Sequence, residues 1–443
     1  MNLSGKNISF HNNRNKTNAY RALILMALVV LSLFLWQAVQ KQEIVSPYEP
    51  TPLPTRNSES FSLEADAHFL SGNLDKAIET YQNALKIDPD NALLWAYMAR
   101  IQTYSTAVLT TNTEKADRLA QAYEAAQKAV NLAPDDSTVY AIQAFVLDWY
   151  SNADISGDNS SNYIVMAEQS ANTALQKDST NILALAYFAE ILIDQQNWTQ
   201  ATQYAKLALE KDPGLMDVQR VNALVQETLG NYGEAIRYYQ NAVEITPNLT
   251  FLYLSIGSNY RILKQYQLAL EYYAKAASIN DSLNIEDPLP YIAIGKTYSQ
   301  MGEFFIASVN IRKALTFNPY SADVYGQLGM VYFKARNYES AIPALKCAVK
   351  GCTAQESCDV RRCDNKKDPV IAVEGMPLKS NTVVYYYTYG SALAGMHRST
   401  DDKCTEAVEI LGEVRDGFKE DPIILNIIAP SEEICASYGI QRK

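Results

Sequence analysis

The chain repeats itself, and that repeat limits the possible folds more than any other feature. Seven related segments recur: KIDPD at 86–90, NLAPD at 131–135, QKDST at 176–180, EKDPG at 210–214, EITPN at 244–248, SINDS at 278–282 and TFNPY at 316–320. From the fourth copy the anchor positions are Pro213, Pro247, Asp281 and Pro319, in steps of 34, 34 and 38 residues. Twelve residues before each of the seven anchors stands an alanine: Ala77, Ala122, Ala167, Ala201, Ala235, Ala269 and Ala307. Five before each stands another: Ala84, Ala129, Ala174, Ala208, Ala242, Ala276 and Ala314. Small residues at constant helical spacing mark places where two helices approach closely. A unit of this length cannot bury its own apolar face, so a core forms only when successive units stack. The prolines stop one helix and open the next unit.

Two copies carry the pattern most fully, LYLSIGSNYRILKQYQLALEYYAKAASIN and VYGQLGMVYFKARNYESAIPALKCAVK. Tyr253, Ile256, Gly257, Tyr260, Ala269, Tyr273 and Ala276 in the first make it resemble the tetratricopeptide repeat (TPR) family. So do Tyr325, Leu328, Gly329, Tyr332, Tyr338, Ala341 and Ala348 in the second. The resemblance spans residues 58–353 and implies an all-α superhelical solenoid of helix–turn–helix units. Units two and three are stretched to about 45 residues by insertions near TYSTAVLTTNTEK and YSNADISGDNSSN. The second is polar and rich in Asn and Ser, so a loop is expected; the first could instead lengthen the helices. Residues 354–443 hold a break in the pattern and a degenerate ninth unit (VVYYYTYGSALAGM, then CTEAVEILGEVRDGF), followed by a capping segment. The stretch GCTAQESCDVRRCDNKKDPVIAVEGMPLKSNT within that break is expected to be non-helical.

Upstream of the repeats, residues 22–39 (ALILMALVVLSLFLWQAV) contain no charge. A helix over them rises about 27 Å, close to the thickness of a bilayer's hydrocarbon core. The preceding tail, residues 1–21, carries Lys6, Arg14, Lys16 and Arg21 and no acid. The positive-inside rule places that tail in the cytoplasm and exports the chain beyond the apolar segment. No small-x-small cleavage pattern fits, because Trp36 stands two before Ala38, so an uncleaved anchor in the cytoplasmic membrane is expected. Residues 40–57 contain Pro47, Pro50, Pro52 and Pro54 and read as an extended spacer.

All six cysteines (Cys347, Cys352, Cys358, Cys363, Cys404 and Cys435) lie in the last quarter of the chain. An even number on the oxidising side of a membrane reads as disulfides. Paired CxxC knuckles, which a zinc site would favour, do not occur among them. Cys404 opens a helix, Cys435 lies in the cap, and the chain reverses between them near Lys419 to Pro422. In an antiparallel pair that puts both at the same height, within disulfide reach.

Chemistry is harder to find. A net charge of −11 argues against nucleic acid, whose phosphates need clustered Lys and Arg. His11, His68 and His397 stand alone in sequence, and no phosphate-cradling glycine loop occurs, so neither enzyme activity nor a cofactor is expected. What remains is a surface for protein or peptide partners. The resemblance implies that first helices line a concave groove, with Arg220, Leu224, Phe251, Leu254, Arg261, Leu289, Ile292, Lys296, Met330, Phe333 and Lys334 facing inward. The family's carboxylate clamp is not matched, because its Lys and Asn positions hold Arg220 and Leu224, then Leu254 and Ser258. The expected role is a membrane-anchored scaffold, with an envelope chaperone or a cell-wall glycan binder as alternatives.

Overall fold

The computed structural model describes residues 18–41, 56–364 and 367–442. Most of the expected basic tail and of the Pro-rich spacer lies outside the described residues. Two units divide the chain, Met1–Arg56 and Asn57–Lys443. The first contains helix α1 (Ala19–Gln40), whose Ala19–Ala38 stretch has a mean hydropathy of 2.1 and no buried residue. At ~1.5 Å per residue it is long and apolar enough to cross a membrane.

The second unit is built from helix pairs. The first pair is α2 (Ser58–Leu70) with α3 (Leu74–Ile87), and the second α4 (Ala92–Ser105) with α5 (Asn112–Leu132). The third pair interposes a short turn: α6 (Ser137–Tyr150), α7 (Ala153–Ser156) and α8 (Ser160–Lys177). The period then becomes regular, with α9 (Ile182–Asp194) and α10 (Trp198–Lys211), then α11 (Met216–Thr228) and α12 (Tyr232–Ile245). Units six and seven are α13 (Thr250–Ile262) with α14 (Tyr266–Leu283) and α15 (Leu289–Met301) with α16 (Phe304–Phe317). Unit eight pairs α17 (Ala322–Lys334) with α18 (Tyr338–Val349). After an insert come the ninth pair, α20 (Val383–Met396) and α21 (Cys404–Gly417), and a capping helix, α22 (Pro422–Ser437).

The two alanine columns explain the stacking. All fourteen of these alanines, from Ala77 to Ala314, have zero exposure, as do Ala341 and Ala348 of unit eight. A glycine in the first helix serves the same close approach from the other side. A Cβ on Gly257 would meet the Tyr273 ring at 2.4 Å, and one on Gly329 the Leu345 side chain at 2.5 Å. The turn between the helices of a unit also repeats. Gly72, Gln196, Gly230, Lys264, Gly302 and Arg336 all have φ between 59° and 84°, the left-handed conformation that closes a helix C-terminus. Only units two and three, the stretched ones, lack this turn among the first eight. The first helices of units one to four begin at Asn or Asp caps: the side chains of Asn91 and Asn181, for example, accept from the Leu94 and Ala184 amides at 3.3 and 3.0 Å.

Two expectations need correction. The insertion after α6 is helical in part, with α7 and a 3-10 turn at Gly157–Asn159, while the earlier insertion lengthens the second helix, giving α5 21 residues. The stretch after Ala348 is not free of helix either. It contains α19 (Ala354–Arg361), opened by a capping box in which Thr353 and Glu356 satisfy each other's backbone amides. Around it, β1 (Gly351–Cys352) pairs antiparallel with β2 (Val373–Glu374).

Candidate functional site

First helices pack on one another along the inner face, α4 on α6, α6 on α9 and α9 on α11. The inner face of the early units then fills with its own side chains. Arg100 of α4 reaches across to Asp217 of α11, making a charge pair and a second bond from Nε to Oδ1 at 3.1 Å. The hydroxyls of Tyr104 and Tyr187 each donate to the same Oδ1 at 2.6 Å. Burial alone would raise the Asp217 carboxyl, but Arg100 and the two phenols hold it at about 2. One turn further, the Arg220 guanidinium grips Glu190 with both nitrogens, at 2.6 and 2.5 Å, and its Nε donates to Tyr104 at 3.2 Å. Phe251 of unit six stacks on Tyr104 with ring centroids 5.7 Å apart. The Asn318 amide of unit seven donates to the Thr110 carbonyl of unit two at 3.1 Å, across 208 residues of chain. The solenoid has wound back on itself.

The winding sorts the expected groove residues. Arg220 is corrected: it is 5% exposed and consumed by Glu190, so it presents nothing to a partner. Ile292 is buried and belongs to the core between units. Phe333 is half-buried against the Tyr338 ring of its own unit, with centroids at 5.3 Å. Phe251, Leu224 and Leu254 are half-buried, and Leu289 is exposed at the start of α15.

Four of the remaining residues converge. Arg261, Lys296, Met330 and Lys334 line one cavity of about 260 Å³ that runs over α13, α15, α17 and α20, with Gln327 and Tyr385 on its wall. Three cations therefore share one apolar-walled trough. Asp323, just outside, accepts from the Tyr385 hydroxyl at 2.7 Å and from the Gln327 amide at 2.5 Å. Desolvation in the trough draws the Lys296 ammonium below the ordinary lysine value even though the residue as a whole is exposed. Asp323 pulls the other way, and Arg261 adds like-charge repulsion. Among the described residues none of the three cations forms an ion pair, so an anionic group entering the trough meets positive charge that Asp323 offsets only in part.

Beyond the trough the chain is stapled. Cys347 bonds to Cys352, Cys358 to Cys363 and Cys404 to Cys435, with Cα separations of 4.7, 5.1 and 5.3 Å. His397, missed as a working residue, is buried beside the last staple. Its Nδ1 accepts from the Lys403 and Cys404 amides at 3.2 Å, and Asp402 accepts the Thr405 amide at 3.1 Å, so the two together cap α21, whose N-cap residue is Lys403.

Stacked helix pairs with an alanine-sealed seam define an all-α repeat solenoid, a class whose inner face usually serves other proteins. Sequence comparison names the repeat. The TPR repeat family matches residues 65–103, and the tetratricopeptide repeat family matches 223–249, 252–282 and 322–350. These segments of the chain are tetratricopeptide repeats. Among solved structures, the crystal structure of MamA is similar at 19% identity and a TM-score of 0.32, covering 36% of this chain and 91% of that one. The crystal structure of YrrB, described as a TPR protein with an unusual peptide-binding site, is similar at 20% identity and a TM-score of 0.33. It covers 45% of this chain and 95% of that one. No curated protein matches the sequence.

Proposed function

We propose that this chain is a non-catalytic scaffold, anchored by α1 in the cytoplasmic membrane, whose repeats stand on the extracytoplasmic side and hold a protein partner. The partner lays an extended acidic segment in the trough of units six to nine. The observation that carries this reading is the gathering of Arg261, Lys296 and Lys334 around Met330 in one cavity. A carboxylate between these cations would form charge-assisted hydrogen bonds, and the apolar wall would take an adjacent side chain. The apolar stretch of α1, charge-free from Ala22 onward, with Lys6, Arg14, Lys16 and Arg21 ahead of it, supports the anchor and its direction. Three disulfides support the oxidising side of the membrane.

Crosslinking of the full-length protein in membranes, followed by co-purification, tests the reading. The wild type should retain a stoichiometric partner, and Lys296→Glu with Lys334→Glu should lose it by at least about tenfold while the melting temperature holds. Equal recovery by the charge-reversed variant would remove the trough from the account. Protease added to intact spheroplasts should cut the repeats; protection until lysis would reverse the orientation.

A further inference from the structure

Units two and three exceed the repeat period, and their extra residues build something. The 3-10 turn after α4 and the segment after α6 wall a cavity of about 340 Å³, closed on its other sides by α5, α6, α9 and α11. Three carboxylates face it: Asp148 of α6, and Glu190 and Asp194 of α9. Glu190 is already neutralised by Arg220 and accepts the Trp149 indole N–H at 3.2 Å. Asp148 differs. It is 4% exposed, and its Oδ1 has no hydrogen-bond partner among the described residues. A buried carboxylate oxygen with nothing to accept is costly, and structures seldom tolerate one without an occupant nearby. Asp194 keeps an exposed edge at the mouth. Against the three acids stand Lys115 on the wall and Arg220 behind Glu190, so with all three ionised one net negative charge remains. Trp149, Leu119 and Leu224 supply an aromatic and aliphatic lining beside it.

From this geometry we infer that the cavity binds an organic monocation, an ammonium or guanidinium, with its head at Asp148 and Asp194 and its stem against Trp149. A metal ion fits less well, because among the described residues no three His, Cys, Asp or Glu groups are placed to hold one. A guanidinium or ammonium needs only two carboxylates and gains from the indole face. The same chemistry arrives either on a free diamine or on an Arg or Lys side chain of a protein segment. This site is separate from the cationic trough, and the two carry opposite charge.

Asp148 is faced by Glu190 and Asp194 from α9, Arg220 from α11 and Lys115 from α5. Burial, then the neighbouring acids, pushes Asp148 above the usual carboxylate range, and burial with Glu190 brings Asp194 to about 6. A cation entering therefore displaces protons, and its binding tightens as pH rises.

The test is calorimetric titration of the full-length chain in non-ionic detergent with cadaverine, N-acetyl-arginine amide and the uncharged N-acetyl-citrulline amide. Expected are saturable binding of at least one cationic probe and none of the citrulline probe. Affinity should rise roughly tenfold between pH ~5 and ~7.5, as one carboxyl near 6 deprotonates. Preference for cadaverine would assign a free diamine; preference for the arginine probe would assign a protein side chain. Asp148→Asn and the more exposed Asp194→Asn should each weaken binding about tenfold without lowering the melting temperature. The Lys296→Glu, Lys334→Glu protein should bind as the wild type does, which separates this site from the trough. Equal binding of citrulline, no cation binding up to about 10 mM, or unchanged affinity in both Asp variants would overturn the assignment.

Discussion

Between units one and six the inner face is shut by the protein's own side chains, with Arg100, Asp217, Tyr104, Tyr187, Arg220 and Glu190 meeting across it. From unit six onward the inner face stays open, and every disulfide of the chain lies at or beyond the end of unit eight. The repeat is the same in both halves, so the difference lies in what each does with an inner surface that stacking leaves uncovered. The early half closes it with buried charge, which gains little net stability but fixes one arrangement, because any other leaves charges unpaired. The late half leaves its cations to solvent and secures its terminal helices with covalent bonds instead. An end of a solenoid has a neighbour on one side only, and the staples replace the missing one.

Breaking the early half should cost most. Arg100→Ala leaves Asp217 buried with two phenols and no cation, and is expected to lower stability by ~3–5 kcal/mol. Hydrogen exchange would show the loss in α4 and α11, with α20 and α21 unchanged. If α4 keeps its protection, the closed inner face is not what holds these units together. In the late half, Cys404→Ser with Cys435→Ser opens a loop of 31 residues and should cost about 3–4 kcal/mol in the chain-entropy model. Exchange in α20 to α22 should accelerate while α4 stays protected; a global drop would mean the halves melt as one.

The smallest expected effect is of pH. Asp287, raised to about 6 by burial against the pull of the Leu289 amide and Asn280, binds its proton more tightly folded than unfolded, and Asp148 and Asp194 do the same. A raised carboxyl makes stability fall as pH climbs from the unfolded value toward the folded one. Stability should thus increase on acidifying from about pH 7 to about 4, by on the order of 1–2 kcal/mol. Below about 4 the sign reverses, since Asp217 at about 2 gives its stability only while ionised. A thermal-melting series that declined steadily from pH 7 downward would contradict the environments of all three raised acids.

The stack itself was legible because the residues that make it are local: alanine columns report a helix contact formed within one unit and its neighbour. The Cys404–Cys435 geometry was readable for a similar reason, a single reversal between two antiparallel helices. Closure was not legible. Arg100 and Asp217 are separated by 117 residues, and nothing in either one's local pattern distinguishes a charge facing solvent from one facing another turn of the superhelix. Arg220 was misplaced for that reason: its position in the repeat was read correctly as inward, but inward here is already occupied. Helix α19 was missed differently. Its signal, Thr353 followed three residues later by Glu356, was present, but the break in the repeat pattern outweighed it. His397 gave no signal, since capping through an imidazole leaves no spacing pattern.

The contact of Asn318 with Thr110, together with the Arg100–Asp217 clasp, also has a mechanical meaning. An open stack of helix pairs behaves as a spring: pull on its ends and the pitch grows, each joint yielding a little. A coil whose neighbouring turns are fastened cannot lengthen that way. Load applied along this domain would pass through the first seven units as through a rigid strut until the fastening gave way all at once. The compliance would sit in the last units, on either side of the trough.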